Sequence, residues 1–356
     1  MGNDGYFMRR ALQIAARPLR TAPNPRVGAV VVRNGRILKE ATHYGVGTPH
    51  AEALALDGID ASGATLYVTL EPCVHQGRTP PCVPVVVASG VERVVIAQRD
   101  PDARVNGRGL EALRDAGIEI TEGVLADEAR ILNRAYLHHR ATGRPFVTLK
   151  LALSIDGRLS PPNRDSRWIT GEGARALVHR RRAEVDAILI GAGSVLADDP
   201  QLTARDVGAI AQPVRVVVDA TGRVPSTAKL FGEDEVLIAA TDRVPHDRQT
   251  EWKEAGAETL LLPATDTGVD LDTLLAELGR RGLTEVYCEG GAELATSLLR
   301  ADLVDRLEIY HGPVVLGRGG PEIGDLDVVA MEDAARWKTT KVEQVADDVV
   351  IVREKD

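Results

Sequence analysis

Apolar and polar positions along the chain recur with two different periods. Met8, Ala11 and Leu12 are spaced as on one face of a helix, so the pattern predicts an amphipathic helix over residues 4–17. Short runs of β-branched residues, such as residues 29–32, predict buried strands. Because strand and helix patterns go on alternating through the chain, the sequence predicts an α/β fold.

The first half of the chain contains a series of strand and helix patterns between turn signals. They predict a strand at 29–32, a hairpin turn at Asn34-Gly35, helices at 51–56 and 83–89, a strand at 91–97, a helix that opens at 106–109 and runs to 116, and a helix at 126–139.

The second half alternates again, and the two halves share no repeat. Strands are predicted at 146–152, 186–191, 214–219, 235–240, 259–262, 285–288 and 307–310, with helices at 172–182, 271–281 and 292–300.

A segment punctuated by Gly143 and Pro145 separates the two halves. The chain has 356 residues, and a prior of about 150 residues per domain suggests two domains. We therefore predict domains at residues 1–143 and 146–356.

The most informative stretch for chemistry is residues 48–84. It contains His50-Ala51-Glu52, then Pro72-Cys73, then eight residues and Cys82. One imidazole and two thiols can bind zinc and leave its fourth tetrahedral position to water. Zinc lowers the pKa of that water towards neutrality, and a neighbouring carboxylate can move protons. The sequence thus predicts His50, Cys73 and Cys82 as metal ligands and Glu52 as the catalytic residue.

The spacing of His50 and Glu52 restricts where they can lie. Residues at i and i+2 within a helix do not share a face, so the two side chains converge only where a helix begins. Pro49 favours such a beginning, and Pro81 places Cys82 near another. A helix N-terminus also favours thiolate over thiol.

Each of these ligands taken alone would usually be a packed core residue. Their joint order, however, is typical of zinc deaminases. The departure from the general deaminase pattern is the long interval between Cys73 and Cys82. Its polar residues, His75, Gln76 and Arg78 among them, could hold a polar arm of the substrate.

With the sequence P-C-V-H-Q-G-R-T-P-P-C, this stretch resembles the deaminase half of the bifunctional RibD family of riboflavin biosynthesis. The resemblance covers nearly the whole chain and includes the long cysteine interval. It implies a cytidine-deaminase-like N-terminal domain. It also implies that Asn24, in the Pro-Asn-Pro loop, binds the pyrimidine. His43 is a further substrate-binding candidate, although a plain surface histidine is equally compatible.

The residues of the second half alone are less specific. Glu289-Gly290-Gly291 follows a predicted strand and opens a helix, as phosphate-binding turns do, although a plain strand-to-helix turn is equally compatible. Gly191-Ala192-Gly193-Ser194 lacks the third glycine of the dinucleotide fingerprint. The usual Rossmann domain is therefore not supported.

Three further segments, 152–157, 166–170 and 194–203, resemble the reductase domain of the same family. The resemblance implies a C-terminal dihydrofolate-reductase-like domain that uses NADPH. The cofactor-binding residues it implies are Ala152, Trp168, Ser194, Asp198, Gly291, Ala292, Glu293, Leu294, Ala295, Thr296 and Ser297. The substrate-binding residues it implies are Ser166, Arg182, Leu202, Arg205 and Glu289.

Composition narrows the range of partners. The net charge of −9 argues against a nucleic-acid surface, which needs a basic patch. Three cysteines, two of them assigned to zinc, make a disulfide framework improbable and fit a reducing cytoplasm. No apolar run approaches the length of a membrane span. We expect small-molecule substrates, no membrane partner and, by family resemblance, a homo-oligomer.

The resemblance implies a bifunctional enzyme. Its first reaction would deaminate 2,5-diamino-6-(5-phosphoribosylamino)pyrimidin-4-one, and its second would reduce the ribosyl group of 5-amino-6-(5-phosphoribosylamino)uracil to ribityl. Two alternatives stay open: a nucleic-acid or nucleoside deaminase with a C-terminal binding module, and a degenerate half kept for assembly. The proton donor of the reduction also stays open among Asp198, Glu289 and water.

Overall fold

A computed structural model describes residues 3–162, 169–232, 234–318 and 323–355. The chain forms two compact units, Met1–Gly143 and Arg144–Asp356, each with a sheet and its own helices. Across the described ranges, every helix is too short or too polar to cross a membrane.

The first unit contains five strands and six helices among its described residues. In chain order these are α1 (Asn3–Ala15), β1 (Gly28–Arg33), β2 (Arg36–Thr42), α2 (Ala51–Leu56), β3 (Thr65–Val68), α3 (Cys82–Ala88), β4 (Arg93–Ile96), α4 (Arg108–Asp115), β5 (Glu119–Thr121), α5 (Ala126–Leu132) and α6 (Arg134–Thr142). The sheet order is β2-β1-β3-β4-β5, in which β1 is antiparallel to both neighbours and β3, β4 and β5 are parallel.

The hairpin predicted at Asn34-Gly35 is confirmed. Both residues have positive φ, 52° and 73°, as a type I′ turn requires between β1 and β2. The apolar face of α1 also lies as predicted, with Met8 and Ala11 packed against Val30 on one face of the sheet. Helices α2, α3 and α4 cover the other face.

The single helix predicted over residues 126–139 is wrong, because the chain breaks it at Asn133 into α5 and α6. The Asn133 side chain accepts a hydrogen bond from the Arg26 backbone N–H (2.8 Å) and donates one to the Arg26 carbonyl (2.9 Å). This side chain is buried and pairs with a distant loop. Helical periodicity continues through the break, so the local pattern does not reveal it.

The second unit contains the remaining eleven strands and five helices that the structure describes. They are β6 (Phe146–Leu153), α7 (Glu172–Glu184), β7 (Ala187–Gly191), α8 (Ala192–Asp198), β8 (Val214–Val218), β9 (Val236–Ala240), α9 (His246–Glu254), β10 (Ala257–Leu261), β11 (Ala264–Thr265), β12 (Gly268–Val269), α10 (Leu271–Arg280), β13 (Glu285–Cys288), α11 (Ala292–Arg300), β14 (Arg306–His311), β15 (Trp337–Val345) and β16 (Asp348–Lys355).

Nine of these strands form one sheet in the order β10-β9-β8-β7-β13-β6-β14-β16-β15. From β10 to β14 in that order, neighbouring strands run parallel. Strand β16 is antiparallel to β14, and β15 is antiparallel to β16. The carboxyl ends of β8, β7, β13 and β6 therefore meet at one edge of the sheet. One core contains α10 and α11, and the other contains α7 and Trp252 of α9.

Several elements of the second unit were not predicted. Helix α9 has a mostly polar sequence, and Trp252 is its buried residue. Strand β15 at the sheet edge is largely exposed and polar. Both lack the strong apolar period on which prediction from sequence depends.

Candidate active sites

Two helix beginnings bring the three predicted zinc ligands together. His50 is the N-cap of α2 and Glu52 lies in its first turn, which confirms the predicted reason for their convergence. Cys82 is the first residue of α3, after the N-cap Pro81. Cys73 follows β3, and its carbonyl accepts hydrogen bonds from the backbone N–H of Cys82 and of Val83.

The ligand atoms of His50, Cys73 and Cys82 all lie within 4.8 Å of one another. His50 Nδ1 lies 3.2 Å from Cys82 Sγ and 3.5 Å from Cys73 Sγ. Thr79 Oγ1 lies 3.0 Å from the other ring nitrogen, Nε2, and so holds the ring orientation. This donor set and its spacing fit a tetrahedral zinc ion.

The two thiols favour a cation between them. The pKa of Cys73 is lowered to about 4, because Cys82 and His50 form hydrogen bonds with its thiolate. The pKa of Cys82 is raised, since its own thiol bonds to Cys73 and burial disfavours a second anion. A divalent ion would remove that repulsion and allow both cysteines to bind as thiolates.

Glu52 lies in the same cavity, which has a volume of about 280 Å³. Only 3% of the residue is exposed. Burial raises the pKa of its carboxyl to about 7. A carboxyl with a pKa near neutrality can both accept and donate a proton, as a general acid–base residue must.

Asn24 and His43 line the same cavity. Asn24 Nδ2 lies 2.9 Å from His43 Nε2, and His43 Nδ1 lies 3.1 Å from the Pro49 carbonyl. Burial lowers the pKa of His43, so the ring is neutral. Because His43 Nδ1 donates to the Pro49 carbonyl, His43 Nε2 accepts from Asn24 Nδ2. The side-chain oxygen Oδ1 of Asn24 is then left for a ligand.

Sequence reasoning missed Glu71, which joins the zinc loop to α4. Its carboxylate accepts backbone hydrogen bonds from Gly107 (3.0 Å), Gly109 (2.9 Å) and Leu110 (3.4 Å). Glu71 and Asp100 follow β3 and β4, which are neighbouring parallel strands. Their position in the sequence, just after two strands, was the signal that could have identified them. The carboxyl ends of neighbouring parallel strands meet at one edge of a sheet, where ligands bind.

Basic side chains lie at the rim of this first cavity. Arg104 is paired with Asp102 through two contacts, Nε to Oδ1 at 2.9 Å and Nη2 to Oδ2 at 2.6 Å. Arg78, in the loop between the cysteines, is exposed and has no hydrogen-bond or ion-pair partner among the described residues. The rim can therefore receive an anionic group.

The second unit has a cavity of about 970 Å³ at the carboxyl edge of its parallel strands. The predicted residues that line it are Ala152, Arg182, Ser194, Asp198, Leu202, Arg205, Glu289, Gly291, Ala292, Glu293, Leu294 and Ser297. Ala295 and Thr296, predicted with their neighbours, instead point into the packed side of α11, where both are buried. Ser166 and Trp168 lie outside the described residues.

The turn that opens α11 fits a close approach by a ligand backbone or diphosphate. Ser194 Oγ accepts a hydrogen bond from Gly291 N–H at 2.9 Å. A Cβ added at Gly291 would lie 2.9 Å from the same oxygen, and one at Gly290 would lie 2.7 Å from Leu294. The first backbone N–H groups of α11 have no carbonyl partner within the helix. They are available to an anion.

Arg182 and Glu289 form a buried two-contact ion pair within the cavity. Arg182 Nη1 also donates to the Thr203 carbonyl at 3.1 Å. Burial acts to raise the pKa of Glu289, but the charge and hydrogen bonds of Arg182, together with the nearby charges of Lys150 and His179, outweigh burial and lower this pKa. Glu289 is therefore ionised here.

Lys150 also lines this cavity and was not identified from the sequence. Its ammonium nitrogen lies 6.0 Å from the centre of the Tyr310 ring. Burial lowers the pKa of Lys150, while the nearby Glu289 carboxylate acts to raise it. A Lys–Leu–Ala sequence at the carboxyl end of β6 was the available signal, since it lies at the ligand-binding edge of the sheet.

Two family models match the chain. One, described as the RibD C-terminal domain, matches residues 145–351. The other, described as the cytidine and deoxycytidylate deaminase zinc-binding region, matches residues 1–98.

Relatives are similar over nearly the full length. The riboflavin biosynthesis protein RibD of Aquifex aeolicus is 40% identical over 351 residues, which cover 98% of this chain and 97% of the relative. RibD of Escherichia coli is 40% identical over 367 residues, with 98% of each chain covered.

Solved structures have the same fold. RibD of Acinetobacter baumannii, form 1, has a TM-score of 0.91 at 38% identity, with 99% of each chain covered. A Thermotoga maritima protein, titled a diaminohydroxyphosphoribosylaminopyrimidine deaminase/5-amino-6-(5-phosphoribosylamino)uracil reductase, has a TM-score of 0.88 at 34% identity, again with 99% of each chain covered.

Proposed function

The chain belongs to the RibD family of riboflavin biosynthesis proteins, and from that premise we propose that its two units catalyse two successive reactions. The first unit deaminates 2,5-diamino-6-(5-phosphoribosylamino)pyrimidin-4-one by hydrolysis. The second reduces the ribosyl group of 5-amino-6-(5-phosphoribosylamino)uracil to ribityl with NADPH.

The observation that carries the first activity is the ligand cluster of His50, Cys73 and Cys82 in one cavity with Glu52. Zinc, when bound there, supplies the Lewis acid that activates water. Glu52 takes the proton of that water and delivers protons to the departing ammonia. Its burial and raised pKa support both roles.

The remaining residues of the first cavity orient the substrate. The side-chain oxygen Oδ1 of Asn24 accepts a hydrogen bond from the pyrimidine, and His43 holds the Asn24 side-chain amide in that orientation. Arg78 binds the phosphate of the substrate arm, since its guanidinium is exposed at the rim and has no acidic partner among the described residues.

For the second reaction, NADPH supplies the hydride that converts ribosyl to ribityl. The N-terminus of α11 holds the cofactor diphosphate, and Ser194 keeps the glycine turn in place through its hydrogen bond to Gly291. Asp198 and Ser297 line the cavity near that turn and contact the cofactor.

The reduction also needs a proton donor. The ion pair between Arg182 and Glu289 changes the choice among the candidate donors. Glu289 is held ionised by Arg182 and is poorly suited to donate a proton. Lys150 is a better donor, because burial lowers its pKa below the usual lysine value and it lies in the same cavity. Glu289 then orients the substrate by accepting hydrogen bonds.

The phosphate of the second substrate binds at Arg205. Arg205 is exposed, lines the cavity and donates to neutral groups, Gln201 Oε1 at 3.0 Å and Thr203 Oγ1 at 2.9 Å. Arg182 was expected to bind the substrate as well, but its charge is already neutralised by Glu289. We therefore propose that Arg182 orients Glu289. Leu202 makes an apolar contact with the substrate.

A deaminase of nucleic acid or free nucleoside, with a C-terminal binding module, was one alternative function. The reductase family match over residues 145–351 and the large cavity in that unit argue against it. A homo-oligomer stays a proposal, supported by family membership. A cytoplasmic location also stays a proposal, supported by the free cysteines at positions 73, 82 and 288.

The two activities can be separated in one assay of the full-length chain. The diaminopyrimidine substrate is supplied with and without NADPH, while ammonia release and NADPH oxidation are followed. We expect ammonia release without NADPH, and NADPH oxidation only once the deaminated product is present. Ammonia release without NADPH oxidation would identify a degenerate reductase half. Loss of both signals, with NADPH oxidation restored by supplied deaminated substrate, would identify a degenerate deaminase half.

A further inference from the structure

Arg223 is a cation of the second cavity to which the proposed reaction gives no role. It lines the cavity, and its side chain is exposed. Among the described residues, none forms an ion pair with its guanidinium or accepts a hydrogen bond from it. By contrast, Arg182 is paired with Glu289, and Arg205 donates to Gln201 and Thr203. Arg223 is thus free to bind an anion in the cavity.

The loop that carries Arg223 is held rigidly on both sides of it. Asp219, which is 1% exposed, accepts backbone hydrogen bonds from Gly222 (3.0 Å) and Val224 (2.7 Å). The buried Trp252 donates from Nε1 to the Val224 carbonyl at 2.9 Å. Because the backbone is fixed, a ligand that contacts Arg223 needs to order only the side chain.

The strand order assigns Arg223 to one end of the cavity. Strands β8, β7, β13 and β6 are neighbours and run parallel. Their carboxyl ends carry, in that order, Arg223, Ser194, Gly291 and Lys150. Arg223 and Lys150 therefore lie at opposite ends of this row, with the glycine turn between them.

This order sets the direction of a dinucleotide that binds across the row. Its diphosphate lies at the glycine turn under the proposed function. Its nicotinamide must reach the substrate, which lies at the Glu289 and Lys150 end. The adenosine then extends the other way, towards β8. Ala220, the second residue after β8, packs against the same apolar core as Leu294 of α11, which places both on the side of the sheet that the diphosphate helix covers.

We propose that Arg223 binds the 2′-phosphate on the adenosine ribose of NADPH and thereby selects NADPH over NADH. The inference rests on the proposed reductase function. A guanidinium suits a phosphate monoester, because its planar fork can donate two parallel hydrogen bonds. NADH lacks this phosphate and leaves Arg223 solvated. The contact therefore raises the affinity for NADPH alone and so discriminates between the two cofactors.

The test compares Arg223→Met with the wild-type protein in binding experiments that require no turnover. NADPH and NADH are titrated by nicotinamide fluorescence, and 2′,5′-ADP and ADP are titrated by calorimetry. We expect the affinity for NADPH and for 2′,5′-ADP to fall about tenfold or more, as for loss of a charge-assisted contact. The affinities for NADH and ADP should change less than twofold.

Arg243→Met is the matched control. Arg243 is also exposed and also has no ion-pair partner among the described residues, but it lies after β9 and does not line the cavity. The Arg243→Met variant should bind all four ligands with wild-type affinity. Arg223→Lys should recover part of the preference for 2′,5′-ADP, and equal unfolding midpoints would show that all variants are folded.

Three results would overturn the inference. Equal losses for NADPH and NADH would place Arg223 at a group common to both cofactors. An unchanged NADPH affinity would leave it a solvated surface residue. A raised Michaelis constant for the phosphoribosyl substrate, with cofactor affinity intact, would assign it to the substrate phosphate. If the wild-type chain bound neither cofactor, the proposed reduction itself would fail.

Discussion

Arg182 and Glu289, 107 residues apart in the chain, form a two-contact ion pair in which Nε lies 2.6 Å from Oε1 and Nη2 lies 2.9 Å from Oε2. The side chains are 12% and 8% exposed. The pair joins α7 to the turn after β13, and both residues line the second cavity. Both residues were expected to bind substrate, yet in this structure each is the main electrostatic partner of the other.

We expect Arg182→Met to destabilise the second unit. Removing one member of a buried pair leaves the other charge uncompensated, at a cost of about 3–5 kcal/mol in unfolding free energy. The double variant Arg182→Met/Glu289→Gln should lose much less, because no lone charge remains. Urea unfolding measures both. Arg180→Met, on the same helix but 67% exposed, should stay within about 0.5 kcal/mol of wild type. Equal losses in the single and double variants would contradict the expected coupling.

Arg205→Met should raise the Michaelis constant for the reductase substrate about tenfold or more. A charge-assisted hydrogen bond contributes about 1.5–3 kcal/mol, and about 1.4 kcal/mol corresponds to a decade in affinity. The fold should persist, since Arg205 donates to the neutral groups of Gln201 and Thr203 and has no ion-pair partner among the described residues. Steady-state kinetics and NADPH titration decide the matter, with Arg180→Met as control. Loss of NADPH affinity with an unchanged substrate constant would assign Arg205 to the cofactor instead.

The purified protein should hold about one zinc ion per chain, as one His-Cys-Cys site predicts. Cys73→Ser and Cys82→Ser should each lower the zinc content measured by elemental analysis. The third cysteine, Cys288, supplies the control, because it is buried in β13 of the other unit and Cys288→Ala should retain the metal. Full zinc content in both ligand variants would refute the site.

Glu52→Gln should keep zinc but slow deamination about a hundredfold or more, the scale of general acid–base catalysis. The amide preserves the side-chain shape and removes the base. The variant should still reduce supplied deaminated substrate with NADPH, because that site lies in the other unit. Glu92→Gln, an exposed carboxylate outside the cavity, should deaminate normally. Wild-type deamination by Glu52→Gln would exclude its catalytic role.

Gly109→Ala should weaken zinc binding, although Gly109 is not a ligand. A Cβ at this position would lie 2.2 Å from the Pro72 carbonyl oxygen and 3.0 Å from Glu71 Oε1. The segment before Cys73 must therefore move, and disturbing the support of a metal ligand typically costs 10-fold to 100-fold in metal affinity, here about tenfold. Competition with a chelator measures the change. Gly5→Ala, with nothing within 4 Å of the added carbon, should leave zinc affinity unchanged. An unchanged zinc affinity in Gly109→Ala would show that Pro72 relaxes freely and would contradict the prediction.

Much of the local structure followed from the sequence, because its causes are local. The Asn34-Gly35 hairpin depends on two residues that tolerate positive φ. The beginnings of α2 and α3 depend on Pro49 and Pro81, and they orient the predicted zinc ligands. Where periodicity was weak, as around Trp252, prediction failed. It also failed at Asn133, whose partner Arg26 is 107 residues away.

The sequence by itself determined the chemistry available to this protein: an imidazole, two thiols and a carboxylate at spacings suited to zinc, and a glycine turn suited to a diphosphate. Only the tertiary structure decided which side chains meet. Strand β13 enters the sheet between β7 and β6. This order brings Glu289 to Arg182 and leaves Arg223 at the far end of the row, without an ion-pair partner among the described residues. Strand order depends on packing between distant segments, which no local pattern of apolar and polar residues encodes.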